Sequence, residues 1–138
     1  MSADARARIA AAAEASGDED LALSMYAAAS AEEPTNSQLQ LHYADILVRS
    51  GKIGPARDVL TKGLASASDP MQIRRGLGAL DVLSGRNEQG IAELDKVLTV
   101  HPADVRALVD KAVALDLLGK HTEAQQLYSQ ARAVAPDD

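Results

Sequence analysis

Four glycines stand at equal distances along this chain: Gly17, Gly51, Gly85 and Gly119 are each 34 residues apart. One spacing repeated in this way restricts the chain to an array of like units, before any local preference is weighed. Other columns keep the same phase. Five residues past each glycine come Ala22, Ala56, Gly90 and Ala124, all small. Tyr26, Leu60, Leu94 and Tyr128 follow as a large column, then Ala29, Gly63, Val97 and Ala131. Pro34, Ser68, Pro102 and Pro136 close each unit, with Pro70 two residues after the one exception. The 138 residues divide into units 3–36, 37–70, 71–104 and 105–138 within one domain, 1–138.

Each unit reads as a helical hairpin. Glycine accepts the left-handed backbone a tight turn needs, and proline is harmless just ahead of a helix because the first amides have no partner there. Leu39, Tyr43 and Ile46 make one apolar stripe, and Leu108, Ala112 and Leu115 repeat it. Valine and isoleucine show no alternation that would suggest strands. First helices are expected over 3–16, 36–50, 70–84 and 104–118. Second helices are expected over 19–32, 53–67, 87–100 and 121–134.

Ala22-x3-Tyr26, Ala124-x3-Tyr128, the pair Leu77-Gly78 and the phased prolines resemble the tetratricopeptide repeat (TPR) family, although that family's tryptophan is missing throughout. The resemblance covers the whole chain. It implies an all-α, right-handed helical-repeat solenoid of four hairpins that binds another protein and needs no cofactor. The first helix of each hairpin then lines a concave groove suited to a peptide or partner helix. Phase places Gln38, Leu41, Asp45 and Val48 on that groove in the second repeat. Gln72, Arg75, Ala79 and Val82 follow in the third repeat, and Arg106, Val109, Val113 and Asp116 in the fourth. The first repeat offers Asp4, Ala7, Ala11 and Glu14. Arg75 and Arg106 have two readings: a bidentate grip on a partner's carboxylate, or solvated head groups whose stems cover apolar surface. Some family members clamp the C-terminal carboxylate of chaperones with lysine and asparagine. Ala7, Ala11, Asp45, Arg75 and Ala79 do not match that pattern.

The run Ala114-Leu-Asp-Leu-Leu-Gly119, with Glu123-Ala-Gln after it, and the related Ala79-Leu-Asp-Val-Leu looks like the TadD proteins of bacterial tight-adherence (Tad) pilus assembly. That resemblance implies a secretion or pilus-assembly scaffold, with a secretin or pilus component as partner, in the periplasm or at the outer membrane if an N-terminal anchor precedes this chain. Two other readings stand beside it: a cytoplasmic TPR adaptor or chaperone module, and the regulatory part of a larger enzyme. A repeat stack also needs a partner for its last apolar face. The fourth repeat is therefore expected either to lie inside a longer array or to associate with another copy through Leu127, Tyr128 and Val134.

Composition narrows the alternatives. The formal charge of −6 and the lack of any basic patch with aromatic residues argue against nucleic acid as partner. Cysteine is absent, which removes disulfides, thiolate metal sites and thiol catalysis. No apolar run approaches the roughly 20 residues of a membrane span, and Met1 to Ala15 reads as an amphipathic helix rather than a signal peptide. His42, His101 and His121 lack metal-ligand spacing. Asp18, Glu19 and Asp20 read as helix-capping carboxylates. Gly76-Leu-Gly78 lacks the preceding strand and third glycine of a phosphate loop, so Gly78 reads as a close-packing glycine. Asp81 and Asp116 stand in different columns with no nucleophile placed beside them, so no catalytic or metal residue is expected.

Overall fold

The computed structural model describes residues 1–136; Asp137 and Asp138, the end of the fourth repeat as read from the sequence, lie outside the described residues. Eight helices follow in order: α1 (Ala3–Ser16), α2 (Glu19–Glu32), α3 (Ser37–Arg49), α4 (Ile53–Leu64), α5 (Pro70–Leu83), α6 (Asn87–Val100), α7 (Val105–Leu117) and α8 (His121–Val134). The described residues contain no strand. They form four antiparallel hairpins, so the chain is an all-α helical-repeat protein of the solenoid class. Gly17, Gly51, Gly85 and Gly119 all turn with φ between 77° and 81°, the left-handed region that an L side chain enters only at a cost. Each of these turns joins the two helices of one hairpin.

Seven helices start and end within a residue of the expected positions. The exception is α4, which stops at Leu64 rather than continuing to 67. The cause lies in the next turn. Pro70 opens α5, and a residue before proline is held away from helical backbone, so no helix passes through Asp69. Asp69 instead caps α5, its carboxylate accepting from the Gln72 amide at 3.3 Å. The released segment is stitched to the preceding turn. The Ser68 amide donates to the Thr35 carbonyl at 2.8 Å, and the Asp69 amide donates to the hydroxyl of buried Ser37 at 2.9 Å.

The chain gathers into two compact units, Met1–Ile73 and Arg74–Asp138, with the boundary inside α5. In the first unit, Ala10, Ala13, Ala22, Tyr26 and Ile46 form one core cluster, and Ala3, Ala29 and Leu39 a second. In the second unit, Ala112, Leu115 and Ala124 pack with Ile91, Leu127 and Tyr128. The small columns read from the sequence are where helices meet. Ala22, Ala56 and Ala124 have no exposed surface. Their counterpart Gly90 faces Gly78 across the α5–α6 contact. A Cβ on Gly78 would lie 2.8 Å from Leu94 Cγ, and one on Gly90 would lie 2.7 Å from Val82 Cγ2 and 3.0 Å from the Gly78 carbonyl oxygen. The close-packing role expected of Gly78 is thus shared by two glycines.

Candidate functional site

A binding face must consist of side chains that neither the core nor neighbouring charges have already used. In the first unit the row sits on α3. Gln38 is exposed and its amide nitrogen is 3.1 Å from His42 Nε2. Leu41 and Val48 are half-buried. Exposed Asp45 accepts from Arg49, whose other guanidinium nitrogen lies 3.1 Å from Glu14 of α1. Asp45 and Glu14 therefore share one arginine, which offsets one of their two negative charges. Of the remaining α1 positions, Ala7 is half-buried against the Ala3–Leu39 cluster, while Asp4 and Ala11 are exposed.

On α5, Gln72 is half-buried in the first turn. Arg75 donates to Asp104 at 2.9 Å, both side chains being mostly covered. Asp104 has a second duty: its other carboxylate oxygen accepts from the Ala107 amide at 3.0 Å and caps α7. Arg75 thus ties α5 to the start of α7 and matches neither of its sequence readings in full. Ala79 and Val82 are half-buried. Val82 is partly spent on packing, its Cγ2 filling the space beside Gly90.

The row continues on α7. Arg106 is exposed, Val109 is half-buried, and Val113 keeps 36% of its surface in solvent. Asp116 is half-buried; its Oδ1 is 2.9 Å from His121 Nδ1, and its negative charge adds to burial in raising the pKa of Tyr128. Beside this row sits Asp110. Burial raises its pKa above the usual carboxylate range, opposed by the positive charges of Arg106 and Arg75. In the second unit the row is therefore apolar ground with one exposed cation, Arg106.

Sequence reasoning missed two residues. Leu83 and Leu117, the last residues of α5 and α7, are 59% and 63% exposed. The expected rows stop one position short of them, at Val82 and Asp116. The signal was present, since the two leucines are themselves 34 residues apart. At the other candidate positions, Asp18 caps α2 through the Leu21 amide at 3.2 Å. Buried Asp81 lies on α5. Among the described residues no group of three or more histidines and carboxylates is placed to hold a metal, and no helix is long and apolar enough to cross a membrane. Leu127 and Tyr128 are half-buried, and Val134 is 49% exposed.

The family model described as Tetratricopeptide repeat matches residues 13–79 and 82–138. A protein of Sinorhizobium fredii, the uncharacterized y4yS, is 44% identical over 57 residues, which is 41% of this chain and 31% of that one. The match thus spans about a third of that relative's length. Among solved structures, YrrB, described as a TPR protein with an unusual peptide-binding site, superposes with a TM-score of 0.77 at 16% identity, covering 98% of this chain and 70% of YrrB. Pseudomonas aeruginosa pilF superposes with a TM-score of 0.82 at 19% identity, covering 99% of this chain and 63% of pilF. At such identities the likeness is one of fold.

Proposed function

The chain belongs to the tetratricopeptide repeat family, whose members are typically non-enzymatic interaction modules, and from that premise we propose that it is a scaffold of bacterial pilus assembly or secretion which holds a partner's peptide or helix on the outer faces of its first helices. The observation that carries this reading is the surplus of apolar surface on those faces. Val113 is exposed, and Leu41 and Val109 are half-exposed on helices whose other sides already supply the core. Solvent-facing apolar rows of this kind are retained where a partner covers them. A peptide as occupant agrees with the binding site described for YrrB. The pilus setting rests on the TadD-like Ala-Leu-Asp-x-Leu segments, and it makes a secretin or another pilus component the expected partner.

The test is a photo-crosslinking amino acid placed in turn at Leu41, Val109 and Val113 of the full chain in cells of the source organism. Exposed Asp58 on α4 and Gln89 on α6 serve as controls. Crosslinks from the first-helix positions to a secretin or pilus protein are expected, with none from the controls. Crosslinks from both sets alike, or from the controls only, would contradict the assignment of the face. A cytoplasmic adaptor's client or an enzyme subunit captured at Val113 would keep the scaffold and discard the pilus setting.

A further inference from the structure

We infer that the segment seated on the second unit is an amphipathic helix carrying leucine-type side chains, anchored by Leu83 and Leu117; the inference rests on the scaffold reading above and names the chemistry of the partner. Single exposed leucines are ordinary on protein surfaces. These two are not isolated. They occupy the same position in successive repeats, where the first two repeats carry Ala15 and Arg49. Val113 likewise replaces Ala11, Asp45 and Ala79 of its own column. In these two columns large apolar side chains stand only in the second unit, at Leu83, Val113 and Leu117, and all three are exposed.

On α7 the apolar side chains are Val109, Val113 and Leu117, four residues apart. At about 100° per residue they fall within an arc of about 80°, over a length of about 12 Å. A ridge of that length and spacing matches two turns of a helix that presents its own side chains at i, i+4 and i+7. An extended peptide would turn every second side chain away from the ridge.

The charges argue against the simpler alternative of an acidic segment held by two arginines. Arg75 is already neutralised by Asp104 at 2.9 Å, and the chain carries a formal charge of −6. Of these two arginines it is Arg106 that stays exposed, a turn before Val109 and on the same side of α7. At the far end Asp116 is occupied by His121 at 2.9 Å. The complementary helix thus has a leucine face and one acidic residue at the end that meets Arg106.

Three fluorescent 16-residue peptides test this against the full chain by anisotropy. The first places leucines on one helical face with a glutamate at one end. The second has the same composition with the leucines scattered around the helix. The third is acidic and leucine-free. The first is expected to bind, and Leu83→Asp or Leu117→Asp to weaken it about tenfold or more, as for anchors of an interface. Arg106→Glu should weaken it a few-fold, with the loss disappearing at high salt. Val100→Asp, at an equally exposed apolar residue ending α6, should change nothing; circular dichroism checks that each variant folds. Equal binding of the scattered or acidic peptide, or equal loss from Val100→Asp, would overturn the inference. If no leucine peptide binds while in-cell crosslinks at Val113 persist, this inference fails and the scaffold stands. Loss of those crosslinks as well removes the scaffold reading itself.

Discussion

Tyr26 and Tyr128 carry a rule that the repeats keep among themselves. Twelve residues before each lies an acid, Glu14 and Asp116, and each acid adds to burial in raising its tyrosine's pKa. Where the large column is Leu60 or Leu94, the residue twelve before is Val48 or Val82. A buried hydroxyl needs an acceptor, and a buried leucine needs none. Glu14→Val alone should therefore destabilise the first unit by about 1 kcal/mol or more. Adding Tyr26→Leu should recover part of that loss, visible as coupling in a chemical-denaturation double-mutant cycle. Burial, then Glu14, pushes the Tyr26 pKa up to about 12 from 10.0. The unfolded chain thus releases this proton first, so its contribution to stability is intact below pH 10 and falls away as pH climbs toward 12. Tyr26→Phe should flatten that decline in a pH series of denaturation midpoints. Gly78 gives a second check at this scale. Alanine gains up to about 1 kcal/mol of helix propensity, but its methyl would sit 2.8 Å from Leu94 Cγ, and overpacking of this kind costs about 1–3 kcal/mol. Gly78→Ala should therefore lower the melting temperature, while Gly54→Ala, where nothing lies within 4 Å, should not.

The elements show what the sequence made legible and what it hid. Hairpin positions, turn glycines and the three small or large columns followed from phase, because backbone conformation and close packing act through residues near in sequence. The end of α4 did not follow. Pro70 bars helix at Asp69, but the path of the 66–69 segment also rests on Ser37 and Thr35, across roughly thirty residues of chain. Ser37→Ala should cost about 1–2 kcal/mol by leaving the Asp69 amide unpaired, and should speed hydrogen exchange at Ser68 and Asp69 first. Arg6, Gln40 and Arg74, the polar members of the column that holds Leu108 in the fourth repeat, were also missed, since polar residues do not register in an apolar stripe. Arg6 pairs with Glu32 at 2.9 Å and Arg74 with Glu93 at 3.0 Å. Gln40 presses against Gly63 and donates to the Pro34 carbonyl. At the candidate face, phase alone gave the position of Arg75. That Asp104 consumes its charge required the fold, because the pair is 29 residues apart.

At the scale of the molecule, four hairpins of one family divide their labour unevenly. Beside half-buried Leu41 and Val48, the first unit presents small and charged side chains on its first helices, with Arg49 paired to Asp45 and Glu14. The second presents Leu83, Val113 and Leu117 to solvent. Family membership makes the chain an interaction module, and on the reading proposed above this asymmetry puts the work of holding a partner mainly on α5 and α7. The most direct test is methyl-detected NMR of the full chain, titrated with the segment of the crosslinked partner. Shifts are predicted at the methyls of Leu83, Val109, Val113 and Leu117, with those of Val100 and Val134 unmoved. Shifts centred on Val100 and Val134, with the α7 methyls unchanged, would contradict the account.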